Sequence, residues 1–250
     1  MEINRKEIFA SIGRLRKGIL FFLIVFVVFF VIAFIFSKPL MRHLRDTSLQ
    51  IDLVAFTIPE AFMSMIKLAV FASLFFTVPI IFYQIARAFA PLFRKRDFKG
   101  SSSSILVTAV FLFYLGAFFC YFVTLPFGVK FLLGYQSAHI KPMISVGRYV
   151  SFCSVFIFGF GLTFELPLIL ALLSMLKLVT ARFLTKNRRY AILVIAVLAA
   201  VVTPTPDVFN MSLMGGPLYL LFEIGILLVK MIERKRVRAE ALLPQGSMER

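Results

Sequence analysis

Two carboxylates stand inside long apolar runs, and their placement demands a chemical reason. Glu165 interrupts the otherwise uncharged stretch 149–176, within Gly159-Phe160-Gly161-Leu162-Thr163-Phe164-Glu165-Leu166-Pro167, and Glu223 interrupts 208–229. An ionisable group at mid-membrane depth costs about 2.5–3.5 kcal/mol on insertion scales, so it faces a bundle interior or a wet cavity and serves a proton, a cation or a partner. Gly161 lies one helical turn before Glu165, so the spacing predicts room beside the carboxylate for a partner helix. Pro167 withholds the N–H that the Thr163 carbonyl would accept, which predicts a kink. The plainer role for Glu165 is a structural tie to a neighbouring helix. Glu223 is two turns from Lys230, and the spacing predicts pairing with that base or contact with water.

Other candidates lie in the connections. Asp97 is the one acid in the basic run 94–99, where it pairs locally or receives an incoming cation. Asp207 follows Thr203-Pro204-Thr205-Pro206, a tight hairpin signal, and is placed to cap the next helix. Cys120 and Cys153 fall in apolar runs and read as buried thiols; His43 and His139 are isolated in outer loops. There is no Ser/His/Asp or Cys/His set, metal spacing or phosphate loop, so neither enzyme activity nor a cofactor is expected.

The elements that carry these residues are set by composition. The 250 residues are 60% hydrophobic and only 16% charged, with 32 Phe, yet the net charge is +16. That excludes a soluble globular enzyme and a disordered basic tail, and it denies a nucleic-acid binder the water-facing scaffold it needs. Crossing the hydrocarbon takes about 20 apolar residues in a helix that satisfies its own backbone. The runs predict spans at about 18–37, 66–88, 105–125, 149–176, 190–204 and 209–229. The expectation is an all-α polytopic membrane protein: one six-helix membrane domain over 1–230 and a basic tail over 231–250. The first span is too long for a signal-peptide core and is expected to be retained. The connection 38–63 is expected to form short amphipathic helices capping the bundle, and Ser101 to Ser104 a helix start. Of the 28 Lys and Arg, 21 fall in the two terminal segments and the 2–3 and 4–5 connections, which predicts that both termini face the cytoplasm.

Several ordered blocks resemble the TatC family, the multi-span receptor subunit of the twin-arginine, Sec-independent protein translocase. They include Leu15-Arg16-Lys17, Pro39-Leu40, Pro59-Glu60-Ala61-Phe62, Tyr83-Gln84, Phe89-Ala90-Pro91-Leu92-Phe93 and Leu112-Phe113-Tyr114-Leu115-Gly116. The block around Glu165, Thr203 to Phe209, and Pro217 to Gly225 with Phe222-Glu223 complete the match. The resemblance implies a cup-shaped six-helix bundle in the bacterial inner membrane. It would bind twin-arginine signal peptides of folded precursors at its cytoplasmic face and work with TatA- and TatB-type single-span subunits, driven by the protonmotive force. Copies would form a homo-oligomer within a larger complex in contact with membrane lipid, with no nucleic acid. Carried over by position, Arg16, Lys17, Phe89, Pro91 and Asp97 would bind the signal peptide. Glu165, Asp207 and Glu223 would be polar partner positions, and Pro39, Glu60 and Pro206 would shape the loops.

The departures concentrate on recognition. An acid precedes Leu-Arg in the family, whereas this chain has Arg14, and the second rim acid is the shorter Asp97. The Trp-Ala-Phe-Ile that follows Tyr-Gln is here Ala86-Arg87-Ala88-Phe89, and a common Gln is Met211. A rim with one acid fewer and one base more repels an Arg pair, so the expectation is a divergent member with altered recognition. The competing classes are a small-solute or ion transporter using Glu165 and a membrane assembly subunit without receptor function.

Overall fold

The computed structural model describes residues 5–48, 53–94, 101–134, 143–202 and 208–241. Ten helices run through them: α1 (Arg5–Ile35), α2 (Ser37–Ser48), α3 (Ile58–Arg94), α4 (Ser101–Phe119), α5 (Leu125–Leu133), α6 (Val146–Phe164), α7 (Leu166–Met175), α8 (Ala181–Lys186), α9 (Arg188–Val202) and α10 (Val208–Ala241). A π turn, Cys120–Thr124, joins α4 to α5, and β1 (Leu53–Val54) pairs in parallel with β2 (Ile144–Ser145). Five stretches are long and apolar enough to cross a bilayer: Gly18–Ile35, Ile58–Arg87, Ser104–Lys130, Val146–Met175 and Met211–Arg238. The fifth expected span coincides with α9, whose 15 residues reach about 22 Å, short of the ~30 Å hydrocarbon core.

The helices outrun the apolar segments. α3 continues through Pro91 to Arg94, and α10 carries on to Ala241, so the expected boundary between membrane domain and tail at 230 falls inside one uninterrupted helix. The capping connection after α1 holds one amphipathic helix, α2, with Pro39 in its first turn where a missing N–H is harmless, and then the two-residue β1. His43 is therefore helical. α4 starts at Ser101, and the 203–207 hairpin with Pro206 and Asp207 lies outside the described residues.

The chain forms two compact units. The first comprises Met1–Val110 and Leu125–Phe158. In it α1 and α3 pack antiparallel: Phe34 meets Phe62 edge-on, Phe29 stacks on Phe76 at 5.7 Å, and the Gln84 amide donates to the Gly18 carbonyl at 2.8 Å. Small residues at four-residue intervals on α3, Ala69, Ser73 and Thr77, are completely buried. Small side chains let apolar helices approach closely where lipid removes the hydrophobic drive for association. Ser73 and Thr77 keep their hydroxyls satisfied on the preceding turn, donating to the Val70 and Ser73 carbonyls. The Tyr149 hydroxyl donates to the Leu44 carbonyl at 2.9 Å, fastening α2 to α6.

The second unit comprises Phe111–Thr124 and Gly159–Arg250. Its axis is α10, whose buried stripe Met214, Leu218, Leu221, Phe222, Ile226 and Val229 repeats at helical spacing. α7 ends with Lys177 in the left-handed region (φ 61°), and the Leu178 N–H returns to the Leu173 carbonyl. α10 clamps this corner. Arg236 donates to the Ser174 and Met175 carbonyls at 3.2 Å, and Glu233 accepts the Ala181 N–H that opens α8.

Glycine contacts inside the second unit generate a stability prediction. A Cβ on Gly161 would stand 2.6 Å from the Phe113 ring, and one on Gly116 would stand 2.7 Å from the Phe160 carbonyl oxygen. Gly161→Ala and Gly116→Ala should each lower stability by about 1–3 kcal/mol, as overpacking does. Gly216→Ala, with nothing within 4 Å of the new carbon, should leave it unchanged or raise it by up to about 1 kcal/mol. Unfolding of the purified variants in detergent reads the difference.

Candidate functional site

Glu165 sits at a helix break. α6 ends at Phe164, α7 begins at Leu166, and Pro167 occupies the first turn of α7. The break follows from the missing proline N–H, which frees the Thr163 carbonyl, while the Thr163 hydroxyl donates to Gly159 at 2.8 Å. The Glu165 N–H reaches only the Leu162 carbonyl, a tightened turn. Its side chain is buried, at 5% exposure, and its Oε1 has no hydrogen-bond partner among the described residues. A buried oxygen without a donor is a standing demand for one. The room predicted at Gly161 is not open. The Phe113 ring fills it, because a glycine on α6 lets an aromatic side chain of α4 approach the backbone.

Glu223 is paired, but its partner is Arg188, not Lys230. The Arg188 guanidinium reaches Oε2 at 2.9 Å and the Tyr219 hydroxyl donates to Oε1 at 2.9 Å. Arg188 is the first residue of α9, so the network ties the start of a short helix to the middle of α10. A base on an adjacent helix end reaches across directly, whereas Lys230 is two turns along Glu223's own helix.

Glu60 organises the other cap. From the first turn of α3 its carboxylate accepts the Phe56 N–H at 2.7 Å, the Gly147 N–H at 3.2 Å and the Ser145 hydroxyl. It thereby joins the α3 start to β2 and to the first turn of α6. Sequence reasoning assigned Glu60 a loop role only by position. It assigned no role to Ser145, Gln84, Arg188, Glu233 or Arg236, whose signal is distributed: the partner of each is distant in sequence.

At one end of the first unit, Arg14, Arg16 and Lys17 belong to α1, and Phe89 and Pro91 to the last turns of α3. Their side chains, and Asp97 and Asp207 entirely, lie outside the described residues. The backbone relation is set nonetheless. Contacts between residues 34 and 62, 29 and 76, and 18 and 84 fix an antiparallel register; Arg14 to Lys17 precede the last of these in α1, and Phe89 follows it in α3. Among the described residues no three of His, Cys, Asp and Glu come close enough to hold a metal ion, and Cys120 and Cys153 are free, buried thiols.

Comparison with known proteins decides the family. The family model for the Sec-independent protein translocase protein TatC matches residues 11–217. The chain belongs to the TatC family. It is 35% identical over 242 residues to the Sec-independent protein translocase protein TatC of Carboxydothermus hydrogenoformans, covering 96% of this chain and 99% of that one. It is 32% identical to TatCy of Bacillus subtilis, with 96% and 95% covered. A solved structure titled as the twin-arginine translocase receptor TatC superposes with a TM-score of 0.76 at 31% identity, covering 88% of this chain and 98% of that one. This TatC-family chain is thus a multi-pass helical membrane protein and a component of a protein translocase, a family not known for enzymatic catalysis. The transporter reading of Glu165 is not favoured.

The Arg188–Glu223 assignment is testable as a coupling. A double-mutant cycle on Arg188→Ala and Glu223→Ala should give a coupling of about 0.5–1 kcal/mol, the scale of half-exposed pairs, and a cycle pairing Lys230→Ala with Glu223→Ala should give none.

Proposed function

We propose that this TatC-family chain is the signal-peptide receptor of a twin-arginine translocase, with recognition altered at the rim. Both termini face the cytoplasm on this reading. The observation that supports it is the antiparallel pairing of α1 with α3 at Gly18 and Gln84: Arg14, Arg16 and Lys17 stand just before Gly18 in α1, and Phe89 and Pro91 follow Gln84 in α3. The blocks that resemblance assigns to signal-peptide binding therefore share one end of one helix pair, followed in the chain by Asp97. A carboxylate there holds a guanidinium through charge-assisted, bidentate hydrogen bonds. Arg14 puts like charge where the family holds an acid, which weakens capture of an Arg pair.

Glu165 has the second role. Its unpartnered oxygen takes a donor from a TatA- or TatB-type helix, and translocation draws on the protonmotive force. Phe113 already fills the space at Gly161, so the donor approaches the carboxylate from another side.

Two experiments test the reading. Photo-crosslinking to a precursor carrying Arg-Arg should be weak and within about threefold of its Lys-Lys version. Arg14→Glu should raise the Arg-Arg signal about tenfold, the worth of one charge-assisted contact of about 1.4 kcal/mol or more. Strong Arg-Arg-dependent capture by the unaltered chain overturns the altered-recognition claim. Glu165→Ala should abolish co-purification of the single-span partners while membrane insertion stays intact; unchanged partner yield removes Glu165 from the assembly.

A further inference from the structure

Orientation by positive charge leaves a remainder. Seven of the 28 basic residues lie on the side that the charge bias does not explain, and three of them, Lys38, Arg42 and Arg45, belong to α2. At four- and three-residue steps they fall within about 60° of one helical face. All three line one open pocket of about 310 Å³, whose floor includes Met41 from α2 and Ala61 and Met65 from α3. Among the described residues Lys38 and Arg42 have no side-chain hydrogen bond or ion pair, whereas Arg45 has a contact of its own. Glu60, the acid next to the lining residue Ala61 in the chain, is occupied by its three donors.

The depth of the pocket narrows the ligand. α2 begins two residues after the apolar stretch of α1 ends at Ile35, and Ala61 and Met65 lie in the first two turns of α3, so the pocket stands where apolar helices meet water. Ile58, on the same face of α3 as the lining residues Ala61 and Met65, and Phe62 next to Ala61 are exposed. A soluble anion gains nothing from that apolar surround, but acyl chains do. The volume lies at the small end of ligand pockets and suits a headgroup, leaving the chains outside.

We infer that the α2 pocket binds the phosphodiester headgroup of an anionic phospholipid, held by Lys38, Arg42 and Arg45 with the acyl chains along the exposed apolar surface at the start of α3. The inference goes beyond the receptor reading and does not rest on it. Binding would hold α2 against the membrane surface and brace the cap fastened by Tyr149 and Glu60.

The test uses the full chain in vesicles, with bimane attached at Ile58→Cys, exposed on the α3 face that carries Ala61 and Met65; the native cysteines are completely buried and should label poorly. In phosphatidylcholine vesicles, 5 mol% brominated phosphatidylglycerol should quench bimane at least three times as strongly as 5 mol% brominated phosphatidylcholine. The triple variant Lys38→Gln/Arg42→Gln/Arg45→Gln should lose that excess, and Lys38→Arg/Arg42→Lys/Arg45→Lys, which keeps the charge, should retain it. Equal quenching by the two lipids in the parent chain overturns the inference. So does loss of the excess in the charge-retaining variant, or its persistence in the Gln variant. Reversal of the parent chain's excess by 10 mM inorganic phosphate assigns the pocket to a soluble anion and overturns the lipid assignment.

Discussion

Inside a bilayer every backbone N–H and C=O must find its partner within the protein, because hydrocarbon offers none. That constraint makes the chain helical wherever it is apolar, and it also explains where the helices break. A π turn closes α4 before Pro126, and the α6–α7 break is confined to the single residue Glu165 beside Pro167. Both departures fall at proline, where one carbonyl loses its donor, and both are contained within a turn. Freed backbone groups are tolerated in such helices when the departure is kept short; the Thr163 hydroxyl meanwhile satisfies itself on the Gly159 carbonyl of its own helix.

Once the backbone is satisfied, association depends on close packing and on a few polar ties. In the first unit the small-residue stripe of α3 supplies the packing, and Gln84 and Glu60 tie opposite halves of the helix to other elements. In the second unit α10 gathers Arg188 through Glu223, the α8 start through Glu233 and the α7 end through Arg236. Apart from the Gln84–Gly18 bond between two helix interiors, each of these ties joins a helix end or first turn to a neighbouring element. Glu165 differs: it is buried at a break and one oxygen has no partner among the described residues, a state shared by the Ser174 hydroxyl, so the carboxylate has binding capacity to spare.

Which features were legible in the sequence follows from their range. Helix positions and the break at Pro167 depend on local composition and one missing N–H, and both could be read directly. The continuation of α3 through Pro91 and of α10 to Ala241 could not, because charge marks where water begins and not where a helix stops. Pairings depend on tertiary register. Glu223 has a base two turns along its own helix, which made Lys230 the natural expectation, yet Arg188 from a separate helix is the observed partner. The space at Gly161 failed as an expectation for the same reason: a small residue signals close approach without saying what approaches, and here it is Phe113 of the same chain. Asp97 and Asp207 were prominent in the sequence and lie outside the described residues.

The register of α1 against α3 separates the geometry of the proposed recognition site from its charge. Gly18 fits beneath Gln84 because it has no side chain; a Cβ there would stand 2.8 Å from the amide oxygen. The contacts that set the register, at residues 18, 29 and 34 of α1, all lie on the apolar side of Arg14. None of these three contacts involves position 14, so they do not themselves depend on whether an acid or a base stands there, and on the proposed reading its charge sets the field that an incoming Arg pair meets. A receptor built this way can alter its preference without disturbing its fold, since like charge at the rim acts against a cation before contact while the packing below is untouched. On that reading Arg14 is a change of specificity carried by an unchanged frame.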